Sequence, residues 1–183
     1  MDSLGIIESR SIAAGAVLAD IMVKSADVSL VKAGTICSGR YMIHVAGDRA
    51  AVATSVSAAR KAGYALAGSY TISNISQQVV EALKRGLSAA PCGALGVVEC
   101  RTASSGIAAA DKAVKRSTAD LLRIVTGQGI NGKSYFVLSG DVASVEEAVD
   151  AAKEDLGKEL VEAVVIASPD STVISAFTGR SSR

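Results

Sequence analysis

The stretch Leu4-Gly-Ile-Ile-Glu-Ser-Arg-Ser11 returns later in the chain as Leu95-Gly-Val-Val-Glu-Cys-Arg-Thr102. The match extends over residues 4–24 and 95–115, at an offset of 91, with 9 identities in 21 positions. Self-similarity of this extent indicates a duplicated unit. We therefore predict two copies of one domain of about 90 residues, a size within the ordinary range for a domain.

Both copies show the same series of predicted elements, and Ser11 and Asp48 are placed to cap the helices that follow them. In the first copy we predict strands over 4–9, 27–35, 40–46 and 64–72, and helices over 12–26, 49–61 and 75–85. In the second copy we predict strands over 95–100, 120–126, 134–139 and 160–167, and helices over 103–116, 144–155 and 171–177. The order β-α-β-β-α-β followed by a helix is that of an α+β, ferredoxin-like fold, with one sheet covered by helices on one face.

The predicted domain boundaries follow from the repeat. The first domain covers residues 1–88, a linker with a Pro-Cys-Gly sequence covers 89–94, and the second domain covers 95–183 with a short C-terminal tail. In the first helix, an apolar stripe recurs at helical spacing at Ile12, Ala16, Ala19 and Val23.

Composition and charge exclude several classes of function. Apolar residues make up 49% of the 183 residues, aromatic residues only 3%, and the net charge is +1. Lysine and arginine are spread along the chain, so we expect no nucleic-acid partner. No apolar run reaches the length of about 20 residues that spans a membrane, and we expect no membrane association. Three cysteines at irregular spacing do not form a disulfide framework, which is typical of a reducing cytosol.

Cys37 lies in a glycine-containing turn between two predicted strands, in the sequence Gly34-Thr-Ile-Cys-Ser-Gly39. At an offset of 93 this turn matches Gly127-Gln-Gly-Ile-Asn-Gly132, so that Cys37 is opposite Ile130 and only the first copy carries the thiol. A thiol on an exposed turn is unusual, because free cysteine usually behaves as a small buried hydrophobe. For a lone cysteine, a structural or incidental role is the ordinary alternative.

The stretch 127–133 also matches the Gly-x-Gly-x-x-Gly dinucleotide fingerprint. That motif works where a helix follows it, whereas residues 134–139 are a predicted strand, so we favour a tight turn over nucleotide binding. His44, the only histidine, is predicted to be a hydrogen-bonded residue of an apolar strand. We expect Cys100 to be a core residue and Cys92 to be an ordinary thiol in the linker, and no catalytic set can be assembled.

Three shared features together resemble the bacterial microcompartment shell domain. Both copies have Leu-Gly-x-x-Glu at the start, Asp-x-x-x-Lys at the end of the first helix, and a glycine-containing turn leading into a strand that ends Gly-Asp. The resemblance covers essentially the whole chain, which is similar to the tandem-domain shell proteins. The unpermuted strand order and Thr35-Ile-Cys-Ser-Gly39 are most similar to the propanediol-utilisation subgroup, although proline is commoner there at the position of Ser38.

The resemblance implies a structural, non-enzymatic protein of the microcompartment shell. Its implied form is a homotrimer that mimics a hexamer, with six domains around a central pore, tiling with other shell proteins. Lys24 and Lys115 match lysines at the edges where tiles meet. The residues that would line the pore are Ile36, Cys37, Ser38, Gly39, Gly129, Ile130, Asn131 and Gly132.

In the subgroup, three pore cysteines hold an iron–sulfur cluster on the trimer axis, and the matching residue here is Cys37. Thiolates are the usual ligands of such clusters. A cubane [4Fe–4S] cluster has a threefold axis through one iron, so three symmetry-related Cys37 residues could hold the other three irons, one cluster per trimer. The backbone N–H of Ser38 could hydrogen-bond to a cluster sulfur. The implied role is electron transfer across the shell, with an encapsulated redox enzyme as a further partner.

Two alternatives stay open at this point. The first is a shell tile of the same fold that conducts metabolites through an open pore without a cluster. The second, from a different class, is a soluble ferredoxin-like trimer that binds a small regulatory ligand in clefts between subunits.

Overall fold

The structure is a computed structural model that describes residues 2–85 and 93–178. Residues 89–92 of the predicted linker, with Cys92, and the predicted tail at 179–183 lie outside the described residues.

The predicted order of elements is confirmed in both copies. The first copy contains β1 (Ser3–Ser9), α1 (Ile12–Ser25), β2 (Ser29–Ile36), β3 (Arg40–Gly47), α2 (Arg49–Lys61), β4 (Leu66–Ser73) and α3 (Gln77–Arg85). The second copy contains β5 (Ala94–Cys100), α4 (Ala103–Arg116), β6 (Asp120–Thr126), β7 (Ser134–Gly140), α5 (Val142–Leu156), β8 (Leu160–Ile166) and α6 (Ser171–Thr178). A short 3₁₀ turn at Gly157–Glu159, between α5 and β8, was not predicted.

Each copy builds one four-stranded sheet. The strand order is β2-β3-β1-β4 in the first sheet and β6-β7-β5-β8 in the second. All pairs of neighbouring strands are antiparallel. This order places β1 and β5 at the centre of their sheets, as the ferredoxin-like fold requires.

The chain divides into two compact units that do not coincide with the two repeats. The first unit comprises Met1–Ile75 together with Thr102–Ser104 and Gly127–Gly132. The second comprises Ser76–Arg101, Ser105–Thr126 and Lys133–Arg183. Two short segments of the second repeat, one of them its turn at 127–132, therefore belong to the same unit as Cys37.

Side-chain caps fix where the helices begin. The Ser11 hydroxyl accepts a hydrogen bond from the Ala14 N–H at 3.4 Å, and the Asp48 carboxylate accepts one from the Ala51 N–H at 2.8 Å. Asp141 caps α5 in the same way, at 2.9 Å from the Ser144 nitrogen. The residue after the C-cap of α2 is Gly63, whose φ of +80° suits glycine. Short polar side chains thus supply acceptors for first-turn N–H groups that have none within the helix.

The core of the first unit lies between one face of its sheet and the helices α1 and α2. Its buried residues are Ile7, Leu18, Met22, Ile43, Val45, Val52, Val56 and Ala59. The helix and sheet approach closely at Gly15, where an added Cβ would lie 2.4 Å from the Tyr41 Cβ. Glycine there lets α1 pack directly on β3.

The apolar stripe of α1 does not face this core. The residues that α1 buries are Ala14, Gly15, Leu18 and Met22, whereas Ile12, Ala16 and Val23 are exposed. The helix forms as predicted, but most of the stripe that predicted it lies on its exposed side.

In the second unit, the outer face of the sheet carries a smaller apolar cluster. Leu95, Leu122 and Val137 are buried there, and Val97, Tyr135 and Phe177 pack against them while remaining partly exposed. The Phe177 ring from α6 meets the Tyr135 ring edge-on, with centroids 6.4 Å apart.

Candidate cofactor site at the paired turns

The turn between β2 and β3 and the turn between β6 and β7 have the same local conformation at their ends. Ser38 and Gly39 have φ values of +65° and +66°, and Asn131 and Gly132 have φ values of +55° and +76°. Glycine adopts this left-handed region without cost, and asparagine tolerates it better than most residues. We call residues 36–39 and 127–132 the paired turns; both belong to the first compact unit.

The strand register corrects the predicted alignment of these turns. Gly34 pairs with Met42, and Val125 pairs with Tyr135, which is the residue equivalent to Met42. Gly34 therefore corresponds to Val125, at an offset of 91, and not to Gly127 as the sequence match suggested. The two inserted residues of the second copy lie inside its turn. Only the last residues of the turns, Ser38 and Gly39, match residues 93 positions later, Asn131 and Gly132.

Backbone groups of the second turn surround Cys37. The Gly129 N–H donates a hydrogen bond to the Cys37 sulfur at 3.2 Å, and the Cys37 N–H donates to the Gly127 carbonyl oxygen, also at 3.2 Å. The Gln128 side-chain amide donates to the Thr35 carbonyl oxygen at 3.0 Å. Three hydrogen bonds therefore join the first turn to the second around the Cys37 sulfur.

The predicted pore-lining residues are all found in these turns, and the structure brings them together. The Ser38 hydroxyl donates to the Asn131 carbonyl oxygen at 3.0 Å and also contacts the Asn131 side-chain oxygen. Cys37, Ile36 and Ile130 are half-buried, Gly132 is buried, and Ser38, Gly39, Gly129 and Asn131 are exposed. At Gly39 and Gly129, an added Cβ would meet no atom within 4 Å. The tips of the turns are therefore open.

A buried ion pair anchors the first turn to the sheet. Arg40 directly follows the turn, and its Nη1 lies 2.8 Å from Oε1 of Glu8, whose side chain is fully buried. The other carboxylate oxygen of Glu8 accepts the Ser104 N–H at 2.9 Å and the Ser104 hydroxyl at 2.6 Å. Each oxygen of the buried charge thus has a donor, as burial of a charge requires.

Sequence reasoning missed this network. Its signal was the repetition of a glutamate and a basic residue, since Glu8 and Arg40 recur as Glu99 and Lys133. In the second copy the Lys133 Nζ lies 2.8 Å from Glu99, but both side chains are about two-fifths exposed. The same pair is buried in one repeat and exposed in the other.

The two lysines predicted at tile edges have different surroundings. Lys24 bonds Asp20 at 2.7 Å, and both side chains are largely exposed, as in an ordinary helix-face pair. Lys115 bonds Asp111, whose side chain is only 3% exposed and also accepts the Ser76 N–H at 2.7 Å. Asp111 thus differs from the exposed Asp20, because it is buried and also anchors the backbone just before α3.

His44 differs from its prediction. It lies on β3 and is 7% exposed, but within the part of the chain that the structure describes its Nε2 has no hydrogen-bond partner. Burial, and secondarily the charge of Lys32, lower the pKa of His44 from 6.5 to about 4. The imidazole is therefore neutral at physiological pH, and the expectation of a fully hydrogen-bonded histidine was wrong.

Cys100 is a core residue, as predicted. It is fully buried on β5, and burial raises the pKa of its thiol to about 12. A thiol with such a pKa stays protonated, and it is the thiolate that binds metals. Of the cysteines at described positions, Cys37 is the one whose side chain is only partly buried.

The described part of one chain does not by itself form a metal centre. Among residues 2–85 and 93–178, no group of three or more His, Cys, Asp or Glu side chains is arranged to hold a metal ion. The described helices include none that is both long and apolar enough to cross a membrane.

The BMC domain family matches this chain twice, over residues 3–90 and 94–169. The chain is 38% identical over 170 residues to the bacterial microcompartment shell protein PduT of Citrobacter freundii, covering 91% of this chain and 92% of that protein. A crystal structure of a microcompartments protein from Desulfitobacterium hafniense DCB is 39% identical, with a TM-score of 0.81 over 95% of this chain and 98% of that one. The fused permuted hexameric shell protein MSM0275 from the RMM microcompartment is 25% identical, with a TM-score of 0.61 over 85% and 81% of the two chains.

The chain therefore belongs to the BMC domain family as a tandem-domain shell protein. It is a structural component of the bacterial microcompartment shell and not an enzyme, and it oligomerises and assembles with other shell proteins. This membership replaces the alternative of a soluble, ligand-binding regulator.

Proposed function

We propose that three copies of this chain form a shell tile in which three Cys37 thiolates hold one iron–sulfur cluster, of the [4Fe–4S] type. The observation that carries the proposal is the environment of the Cys37 sulfur, which is half-buried between the paired turns and accepts the Gly129 N–H. Sulfur ligands that receive backbone hydrogen bonds are typical of iron–sulfur sites, where such bonds help to set the reduction potential.

The residues present fit such a cluster in their chemistry and number. Each chain offers one accessible thiol at the paired turns, while Cys100 is held protonated in the core. Closed cyclic symmetry would bring one thiol per chain to a shared axis. The open tips at Gly39 and Gly129 leave room beside the sulfur. Cys37 would be the ligand, and Ser38 would contribute its backbone N–H.

A cluster bound at Cys37 would supply one-electron transfer. The role of this chain's own residues is then to hold the site rigid. Arg40 and Glu8 fix the base of the first turn, and the Ser38–Asn131 hydrogen bond ties the two turns together. Electrons could then cross the shell toward an encapsulated redox enzyme, while small reactants stay inside. Lys24 and Lys115 are proposed to contribute to contacts between tiles.

Anaerobic purification of the wild type beside Cys37→Ala and Cys100→Ala tests the proposal. We expect about four iron and four sulfide per three chains, with visible absorption, in the wild type and in Cys100→Ala. Cys37→Ala should hold neither. If reconstituted wild type binds no more iron than Cys37→Ala, the cluster proposal is wrong, and a tile with an open, metabolite-conducting pore is the alternative that remains.

A further inference from the structure

The surface that one repeat exposes is buried in the other repeat, both on the central strand and on the first helix. All seven residues of β1 are buried, whereas the equivalent strand β5 leaves Val97 and Glu99 partly exposed. The first helices of the repeats show the reverse difference in exposure. Residues 103–111 of α4 are all buried, whereas on α1 Ile12 is 46% exposed and Val17 is 43% exposed. Each exposed surface in one repeat has a buried counterpart in the other.

The first unit shows how the sheet surface is covered. Its segment Thr102–Ser104, at the start of α4, belongs to this unit and contacts Glu8, which alternates on β1 with the core residue Ile7 and so lies on the outer face of the first sheet. The Ser104 N–H and hydroxyl both donate to Glu8. Ser104 also fills the space beside Gly68, the cross-strand partner of Glu8, where an added Cβ would lie 3.1 Å from the Ser104 Cβ.

The equivalent place on the second sheet is an open groove. It has a volume of about 220 Å³ and is lined by Val97, Glu99, Tyr135, Glu162, Val164 and Phe177. Glu99 is the counterpart of Glu8, and its cross-strand partner Glu162 is the counterpart of Gly68. The groove therefore has the carboxylate and its lysine partner but lacks the helix start that covers Glu8.

The segment equivalent to Thr102–Ser104 is Ser11–Ala13, at the start of α1, and all three of its residues are exposed. Both this segment and the groove are exposed. We propose that the groove on the second sheet binds the Ser11–Ala13 segment of a second copy of this chain. In that contact the Ala13 N–H donates to Glu99 as the Ser104 N–H donates to Glu8.

Charge and size support this occupant. The first N–H groups of a helix lack acceptors within it and carry partial positive charge, which complements the carboxylates of Glu99 and Glu162. Ser104 faces glycine in the first unit, whereas the smaller Ala13 would face Glu162. The Glu162 side chain can lie along its own strand, as its 3.0 Å hydrogen bond with the Ala163 N–H shows.

The contact is head-to-tail, because the donor segment and the groove are different surfaces of each chain. Such a contact closes into a ring when the rotation allows and otherwise extends as a filament. This inference rests on the proposed trimer and assigns the residues through which its subunits meet.

Disulfide trapping tests the contact in the full chain, with Cys37 and Cys92 replaced by serine. The proposed cysteine pair is Ala13→Cys with Glu162→Cys, because the template Cβ separation of 3.1 Å is near the ~3.5–4.5 Å of disulfides. We expect the double variant to give covalent trimers on a non-reducing gel, and co-expressed single variants to give only dimers. Ala13→Cys with Val142→Cys, an exposed site on α5, is the control and should give neither.

Light scattering on the same samples separates the two proposals. A trimeric mass, three times the 18.5 kDa of the chain, without crosslinking would overturn this contact while leaving the trimer intact. A monomeric mass of the unsubstituted chain, measured beside them at every concentration, would overturn both. A crosslinked ladder extending beyond the trimer would support the contact but contradict closure at three chains.

Discussion

The buried ion pair below the Cys37 turn gives a quantitative prediction. Arg40→Met removes the partner of Glu8, whose carboxylate is fully buried and keeps only the two donors of Ser104. Breaking a buried pair on one side costs about 3–5 kcal/mol. Because Arg40 is itself 18% exposed and Ser104 remains, we expect a loss near the lower end, about 3 kcal/mol.

The matched control is Lys153→Met on α5. Lys153 bonds Asp150 at 3.1 Å, but the side chains are 43% and 69% exposed, so the loss should be ~0–1 kcal/mol. In a chain of this size about 1 kcal/mol corresponds to a melting shift of ~2–4 °C, so Arg40→Met should melt roughly 6–12 °C lower. Urea unfolding and calorimetry at one protein concentration measure both variants.

The result that would refute this reasoning is an Arg40→Met variant no less stable than Lys153→Met. The mobility of the Cys37 turn provides a second test, because Arg40 immediately follows that turn. Amide hydrogen exchange at residues 36–39 should accelerate in Arg40→Met and stay unchanged in Lys153→Met.

Three further predictions concern single residues. The pKa of His44 is about 4 in the folded chain and 6.5 in the unfolded chain, so between these pH values only the unfolded chain gains the proton. The free energy of unfolding should therefore fall by up to roughly 3 kcal/mol between pH 6.5 and 4. Urea denaturation of His44→Leu over the same pH range should not show that loss. In cluster-free Cys92→Ser protein, a thiol reagent should modify Cys37 rapidly and the buried Cys100 only after unfolding; early modification of Cys100 would contradict its placement. Gly15→Ala should cost about 1–3 kcal/mol by overpacking against Tyr41, whereas Gly34→Ala, with open space around it, should not destabilise, as urea midpoints will show.

The sequence was sufficient to predict the fold because the signals were local and occurred twice. The repeated Leu-Gly-x-x-Glu strands and the caps at Ser11 and Asp48 correctly predicted the order of elements and most of their boundaries. The two-residue insertion was misplaced, because a glycine-rich turn aligns equally well in several registers. Only the pairing of Gly34 with Met42 fixes where it lies.

Burial was harder to predict than secondary structure. The apolar stripe of α1 was recognised, but periodicity does not say whether a stripe meets the chain's own core or another surface, and Ile12 is exposed. The ion pair of Glu8 and Arg40 joins residues 32 positions apart, and its burial depends on Ser104, a residue of the other repeat. Long-range contacts of this kind cannot be inferred from local pattern.

The central claim is that one sulfur from each of three chains converges on a single cluster. An iron-edge anomalous diffraction map from anaerobically grown crystals tests it most directly. We predict iron density for one cluster centred on a threefold axis, with the Cys37 sulfur of each of three chains bonded to a different iron of that cluster. Three Cys37 sulfurs that point away from any common axis, with no iron density near them, would contradict the claim.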